Sequence, residues 1–458
     1  MEVTYSNKIC VHEYTHEALM WARDNLTLYN PEYIKKSRMG LWVGNTPEKI
    51  ALYEVNGADL FLPFGCARQV YAMWGGEGHY SPIRAVNYQS VIELYPYQRK
   101  AVDAALKRKS GIIVMPCGAG KTQTALEIIA RIGGKALWLT HTKDLLVQSM
   151  ARAQSVFGLS SHEYGTITEG RVNVSTGITF ATVQTMAKID LTAYKDAFDV
   201  IVVDECHKAV GSPTKVMQFY KVLSSLSARY KIGITATPKR ADGLEKSMFA
   251  LLGGIMCEIV RADVAQNTCP IKAQIVRTGY YPRLEDVLAG DGTLQYSALV
   301  EDLVTCSART QQIVDHIANK RCMLVLGNRV KFLKEMADML EERGLKVLCL
   351  SNMGMSKAAK EQRKAALKQL NDGELDAVLA TYQLAKEGLD VPKLRYVVLA
   401  TPEKDETTVI QAVGRVGRKA AGKTFGTVID FVDSFGMYQG WAKKRQAYYR
   451  KIEAEVLV

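Results

Sequence analysis

Residues 200–212 read VIVVDECHKAVGS: four β-branched residues, then Asp204, Glu205, Cys206 and His207 in succession. These residue types admit three chemistries: a metal cluster, a Cys/His catalytic pair, or the acidic end of a nucleotide-binding strand. A metal centre needs more ligands at suitable spacing. Neighbours on one strand end point in opposite directions, and a Cys/His pair also needs a third, orienting group. His12, His16, His79, His141 and His162 share no metal spacing either, and read as ordinary surface or core histidines.

Upstream, MPCGAGKT (115–122) follows the apolar run GIIV and opens the helix-like KTQTALEIIARIG, the setting a phosphate-binding loop requires. Gly118 and Gly120 let backbone N–H groups turn toward phosphate. Lys121 would bring an ammonium to the β- and γ-phosphates, and Thr122 a hydroxyl to Mg2+. The pattern G-x-x-x-x-G-K-[ST] departs at its first position, where Met115 stands for glycine. With such a loop in the chain, the acids acquire a role: Asp204 on the Mg2+ and Glu205 polarising the attacking water.

From about residue 91 the chain alternates short apolar runs with helical stretches. GIIVMP, ALWLTH, VNVSTGITFATV, DVIVVDE and YKIGITATP form one series; CMLVLGN, KVLCLSN, DAVLAT, LRYVVLAT and GTVIDFVD form a second. That rhythm predicts βαβ units on two parallel sheets, with 262–300 as their connection. The first 90 residues differ: IALYEV-NG-ADLFLP (50–63) predicts a hairpin turning at Asn-Gly, inside a small α+β domain. The expected organisation is therefore 1–90 as a substrate-recognition domain, 91–265 as a first α/β domain, and 266–458 as connection plus a second.

Composition narrows the partners. The chain has 458 residues, nine scattered cysteines without a C-x-x-C pair, and a net charge of +12. Residues 1–90 carry 8 basic and 9 acidic side chains, whereas 306–458 carry 26 and 18, so the excess lies outside the N-terminal part and suits a polyanion. No apolar run is long enough to cross a bilayer, which predicts a cytoplasmic protein with no membrane partner (host cytoplasm if viral).

Taken in order, PCGAGKT, DECH, TAT (235–237), ATYQLAKEGLDVP (380–392) and QAVGRVGR (411–418) resemble motifs I, II, III, V and VI of the superfamily 2 helicases. LYPYQRKAV (94–102) resembles the glutamine motif that precedes motif I, LTHTKDLLVQ (139–148) resembles motif Ia, and VLGNRV (325–330) stands in the place of motif IV. The resemblance spans about 91–435 and is strongest to the XPB/RAD25-like branch with its small phage members of the UvsW type.

It implies an α/β chain with two tandem RecA-like domains, ATP and Mg2+ between them, and a monomeric motor on DNA. Tyr97 and Gln98 would recognise adenine; Pro116, Cys117, Gly118, Ala119, Gly120, Lys121 and Thr122 would hold the triphosphate. Gly388 and Asp390 would line the cleft, and Arg415 and Arg418 would meet the γ-phosphate. His207, Thr235, Thr237 and Gln411 would couple hydrolysis to movement. Strand contacts would come from Thr142, Lys143, Thr182, Gln184, Thr185, Asn328, Arg329 and Thr381.

The function this implies is an ATP-dependent DNA helicase or translocase that unwinds or branch-migrates forked, junction or single-stranded DNA in recombination, replication or repair. An RNA helicase, the motor subunit of a restriction system, and an ATP-binding switch that moves nothing are the alternatives. Two stretches stay open. KKRQAYYRK (443–451) suits either a nucleic-acid surface or a packed terminal helix, and Trp42, Tyr71 and Trp74 suit either a junction wedge or a core.

Overall fold

A strand of β-branched residues that must bury both faces pairs with others like it, and helices then cover the sheet. The computed structural model describes residues 1–116, 118–160, 163–238, 243–350, 357–386 and 391–457, and it divides into two compact units, Met1–Val260 and Arg261–Val458.

In the first unit an eight-stranded sheet runs in the order Arg171–Asn173, Gly165–Thr168, Ile178–Thr182, Ala136–Thr140, Val200–Asp204, Tyr230–Thr235, Ser110–Val114, Ile255–Glu258. All neighbours pair parallel except the first two. Three strands matter for chemistry. Val200–Asp204, Tyr230–Thr235 and Ser110–Val114 lie side by side, with Asp204 level with Ile234 and Thr235 level with Val114. Because the strands are parallel, the acidic end, the threonine end and the glycine loop emerge at one edge.

The N-terminal layer is built into this unit. Its sheet runs Glu54–Asn56, Asp59–Pro63, Lys8–His12, Glu2–Tyr5, Glu77–Gly78. Alternate residues Val3, Tyr5, Ile9, Val11, Leu60 and Leu62 turn inward and share one core with Ile112, Leu137 and Ile201 of the large sheet. The contact is close: a Cβ on Gly65 would lie 2.4 Å from the carbonyl oxygen of Ala250, in the helix Glu245–Leu252. Beneath it, buried Lys231 donates to the Leu223 carbonyl (2.8 Å) and the Asn7 carbonyl (3.2 Å), with its ammonium 4.9 Å from the Phe64 ring centre.

In the second unit seven strands, all parallel, run Val347–Cys349, Ala377–Thr381, Met323–Gly327, Tyr396–Leu399, Gly426–Val432, Ile271–Arg277, Glu455–Leu457. Two ion pairs sealed from water fix helices to the strand Gly426–Val432 and the residue after it. Arg309 grips Asp433 through Nε (2.7 Å) and a second nitrogen (3.1 Å), and also donates to the Ala400 carbonyl. Arg445 holds Asp430 at 2.8–3.1 Å, and the Tyr449 hydroxyl donates to the same carboxylate.

Both predicted sheets are present; two details differ from expectation, and two stretches left open by the sequence can now be placed. Residues 262–300 are no mere connection: Ile271–Arg277 pairs along its length with Gly426–Val432, and Leu299, Val300, Leu303 and Val304 enter the core. Its polar-apolar alternation hid a half-buried parallel strand. In the hairpin, Asn56 pairs with Asp59, so the loop is Gly57–Ala58 with only Gly57 at positive φ, one residue beyond the predicted turn. The stretch 443–451 belongs to a packed helix, Gly436–Lys451, and spends Arg445 and Tyr449 on Asp430. Trp74 meets Trp21 edge-on, but Trp42 and Tyr71 are 87% and 62% exposed. Among the described residues no helix is long and apolar enough to cross a membrane.

Two measurements check these contacts. Arg309→Met strands Asp433 as a buried charge and is expected to cost about 3–5 kcal/mol in urea unfolding. Burial pulls the Lys231 ammonium down to about 7. The unfolded chain then binds more protons than the folded one between that value and the ordinary lysine range. Stability from this group is therefore present above that range and lost as pH falls through 7. Melting midpoints should rise with pH above 7 in the natural chain, and Lys231→Met should remove that component.

Candidate nucleotide site and strand-contact residues

At the shared edge of the first unit, the loop after Ser110–Val114 turns through Gly118 (φ 86°) and Gly120 (φ 78°) into the helix Lys121–Ile132. A side chain at either position would be strained, and the loop leads directly into a helix N-terminus, whose free N–H groups favour an anion. Met115 sits at the position expected for glycine without disturbing the loop. Its side chain is fully buried, and its N–H donates to the Thr235 carbonyl (2.9 Å), continuing the strand ladder.

Lys121 Nζ lies 3.7 Å from Glu205 Oε1. Asp204 is buried, and Ser149 Oγ donates to it at 3.4 Å. Burial, then the neighbouring Glu205 charge, pushes the Asp204 carboxyl up to about 6. Burial works against the Glu205 charge too, but Lys121, His207 and Lys208 outweigh it and hold that carboxyl below its ordinary range. Glu205 also carries positive φ (47°), rare for a residue with a side chain. The strand therefore ends abruptly, and Cys206–Ala209 begins a short helix that turns His207 inward.

His207 Nδ1 stands 2.8 Å from Thr235 Oγ1 and 3.4 Å from Glu205 Oε2, while the Thr237 N–H donates to Thr235 Oγ1 at 3.0 Å. One connected set thus runs Lys121–Glu205–His207–Thr235–Thr237. Its first two links are ion-pair contacts and its last two, His207–Thr235–Thr237, are hydrogen bonds.

Gln98 is placed differently from a free adenine reader. Its Nε2 donates to the Ala119 carbonyl (3.1 Å) and its Oε1 accepts from the Tyr95 N–H (3.0 Å), so it braces the loop. One N–H and one lone pair of the amide remain for a ligand. Tyr97 is buried in a stack beneath Tyr95, which is the exposed ring of the two. Pro116 and Thr122 are half-buried on the loop and first helical turn, and Ala119 is buried.

The strand-contact candidates share one local design. Thr142, Thr182 and Thr381 each follow or end a parallel strand and accept a helix N-terminal N–H, from Leu145, Thr185 and Leu384. The Thr182 and Thr185 hydroxyls pair at 2.9 Å, and Lys143 pairs with Glu169. Gln184 Nε2 donates to His141 Nδ1 at 2.6 Å. Burial and then Lys215, Lys208 and His207 lower His141 to about 4, which keeps it a neutral acceptor.

In the second unit, Asn328 Nδ2 donates to the Pro402 carbonyl (3.3 Å), and Arg329 faces Glu301 (3.5 Å). Gly327 and Thr381 are partners on adjacent strands, so Asn328 and Thr381 share an edge. Gln411 lies half-buried in the helix Glu406–Gly414, Arg415 is buried at its C-terminus, and Arg418 bridges through its backbone to Thr268. Cys117, Gly388 and Asp390 lie outside the described residues.

Sequence reasoning passed over Ser149 and Tyr95 and read His141 as an ordinary histidine. Only His141, beside Thr142, carried a local signal. It also found no metal spacing, yet Cys10, His12 and Asp59 bring their ligand atoms within 4.8 Å, because His12 and Asp59 are cross-strand partners. A plain pair of His12 Nδ1 and Asp59 Oδ1 at 2.9 Å accounts for that approach.

Residues 91–240 match the family described as type III restriction enzyme, res subunit, and residues 307–420 match the helicase conserved C-terminal domain. A putative ATP-dependent RNA helicase of Acanthamoeba polyphaga mimivirus is 26% identical over 92% of this chain and 78% of its own length. The DNA 3'-5' translocase XPB2 of Sulfurisphaera tokodaii is 26% identical over 72% of this chain and 79% of its own. The ATP-dependent DNA helicase uvsW of Enterobacteria phage T4 is 23% identical, covering 78% and 72%. Among solved structures, S. cerevisiae Dbp5 bound to RNA and ADP BeF3 superposes with a TM-score of 0.55 at 16% identity, over 86% of this chain and 94% of that one.

Thr235→Val keeps the strand's shape and removes the hydroxyl that joins His207 to Thr237. Nucleotide binding should hold within about threefold. Nucleic-acid stimulation of hydrolysis should fall about tenfold or more, as for one buried hydrogen bond lost at ~1–3 kcal/mol. Steady-state turnover with and without DNA reads both.

Proposed function

We propose that this chain, which belongs to the superfamily 2 helicases, is an ATP-dependent DNA motor that unwinds or branch-migrates forked and junction DNA. The observation that carries the reading is the connected set from Lys121 to Thr237, which begins at the phosphate loop and ends just past the strand Tyr230–Thr235. A protein that only holds ATP has no use for a buried relay leaving the nucleotide site.

In this reading Gly118, Gly120 and Lys121 hold the triphosphate, and Asp204 with Thr122 holds Mg2+. The donor set suits that ion, two hard oxygen ligands beside a phosphate loop, and its chemistry is to neutralise charge between the phosphates. Glu205, kept ionised by Lys121 and His207, orients the attacking water. Arg415, Arg418 and Gln411, in the second unit, keep the roles that the motif resemblance gives them, the arginines as guanidinium charge for a γ-phosphate. Thr142, Thr182, Gln184, Thr185, Asn328 and Thr381 contact the sugar-phosphate backbone without reading sequence, through hydroxyls, amides and the helix N-termini they cap. Lys143 and Arg329 must first exchange Glu169 and Glu301 for phosphate.

DNA is favoured because relatives over most of this chain are named DNA translocase and DNA helicase. RNA is the second reading, since the mimivirus relative is named an RNA helicase. Recognition of the branch is assigned to residues 1–90. Deleting them would uncover the core shared with the large sheet, so point substitutions are the proper test.

The test is Mg2+-dependent ATP turnover with no nucleic acid, single-stranded DNA, single-stranded RNA, a DNA fork and a four-way DNA junction, with Lys121→Ala as the blank. Stimulation greatest on forks and junctions is the expected result, with Lys121→Ala at background. Stimulation by RNA alone would keep the motor and replace the substrate.

A further inference from the structure

Half the cationic charge of the first 90 residues sits in one short segment. Lys35, Lys36, Arg38 and Lys49 fall within 27–51, against only Glu32 and Glu48, so this segment is net +2 while the rest of 1–90 is net −3. It also displays exposed apolar side chains together: Trp42 at 87%, Tyr29 at 62%, Met39 at 60% and Leu41 at 53%. Trp42 is the most exposed large apolar residue among those described. Single exposed apolar residues need no account, but a group of them at one loop marks a contact surface.

The loop that carries Trp42 is held at both ends. Asn30 caps the helix Pro31–Arg38 by accepting from the Glu32 and Tyr33 N–H groups, and its amide donates to the Pro47 carbonyl (2.8 Å). At the other end the Gly40 and Leu41 N–H groups close back on Ser37 and Lys36, a helix stop that uses Gly40 at positive φ. Lys36 Nζ then reaches across to Thr46 Oγ1 (2.7 Å), and the Thr46 N–H donates to the Val43 carbonyl. The indole lies over Gly44, where a Cβ would stand 2.7 Å from a ring atom. Lys49 sits 5.4 Å from the ring centre of Tyr29. The loop is thus tied at both ends and carries an exposed indole after a helix that ends in Lys35, Lys36 and Arg38.

We propose that segment 27–51 is a stacking wedge for branched DNA. Trp42, flanked by Leu41 and Met39, stacks on the terminal base pair at the branch point, and Lys35 and Arg38 hold the flanking phosphates. The proposal rests on the DNA-motor reading above and names the residues that would give it branch preference. Unpaired or terminal bases offer flat apolar faces beside phosphates, which match an aromatic tip with cations. The segment's net charge of +2 favours a polyanion over a protein partner. Among the described residues, no hydrogen bond or ion pair joins this segment to Lys121, Asp204 or Glu205.

The experiment compares the natural chain with Trp42→Ala, Trp42→Phe and a Lys35→Ala/Arg38→Ala pair. Affinity is measured for a DNA fork carrying 2-aminopurine at the branch and for single-stranded DNA of equal length. Trp42→Ala should weaken fork binding about tenfold, the scale of one lost stacked base. It should also abolish quenching of the 2-aminopurine signal, while leaving single-strand-stimulated ATP turnover and the melting midpoint unchanged. Trp42→Phe should restore most of the fork affinity, and the cation pair should lower its salt dependence.

Unchanged fork affinity and quenching in Trp42→Ala, with turnover still stimulated by DNA, would overturn the wedge alone. Loss of self-association in Trp42→Ala without any fork effect would assign the surface to a second copy and also overturn it. Absence of DNA stimulation in the natural chain would overturn the motor reading itself.

Discussion

Two carboxylates on consecutive residues at the dry end of one strand repel each other, and everything around Asp204 and Glu205 answers that constraint. Lys121 stands 3.7 Å from Glu205, the His207 ring lies within 3.4 Å of it, and Asp204 is pushed up to about 6. Burial and the Glu205 charge thus make Asp204 harder to ionise than an ordinary carboxyl, and a cation arriving there would ease its ionisation. Glu205 gains its separation by leaving the strand through a strained, left-handed backbone. That same turn brings His207 under Thr235. The electrostatic problem and the mechanical connection are solved by one backbone distortion.

Sheet order makes this possible. The three strand ends that meet here come from residues far apart in the chain, and only parallel pairing in the order Val200–Asp204, Tyr230–Thr235, Ser110–Val114 sets them on one edge. Much of that was legible. The phosphate loop, the acidic strand and TAT were recognisable because each carries its own side-chain chemistry at fixed spacing. Gln98 as a brace and Tyr97 beneath Tyr95 were not, since those follow from how the loop packs on a neighbouring helix. The strand Ile271–Arg277 was passed over for a related reason: its polar residues alternate with apolar ones, whereas strands such as Val200–Asp204 and Met323–Gly327 advertised themselves as apolar runs. The N-terminal layer's merger with the large sheet had no local signature at all. It depends on Gly65, Lys231 and Phe64 meeting surfaces encoded elsewhere.

Buried charge has a different meaning in the two units. Arg309–Asp433 and Arg445–Asp430 are fully sealed and bidentate, and each pair has a further hydrogen-bond partner, so they hold helices in place, although Arg309 Nη1 makes no hydrogen bond among the described residues. At Asp204 and Glu205 the charges are close but incompletely matched. Burial alone does not separate structure from function here; the balance of partners does.

The same distinction applies to the threonines at the strand ends. Thr142, Thr182 and Thr381 act as helix caps, the ordinary fate of such residues. A cap hydroxyl satisfies one N–H of a helix N-terminus, which leaves others facing outward. A phosphate would be bound by those remaining N–H groups, and the threonine contributes by fixing the direction in which they point. Capping and strand contact are then one property of the same turn. Side-chain removal would loosen both at once, and the position of the cap on the sheet edge, more than the hydroxyl itself, decides where a nucleic-acid backbone can lie.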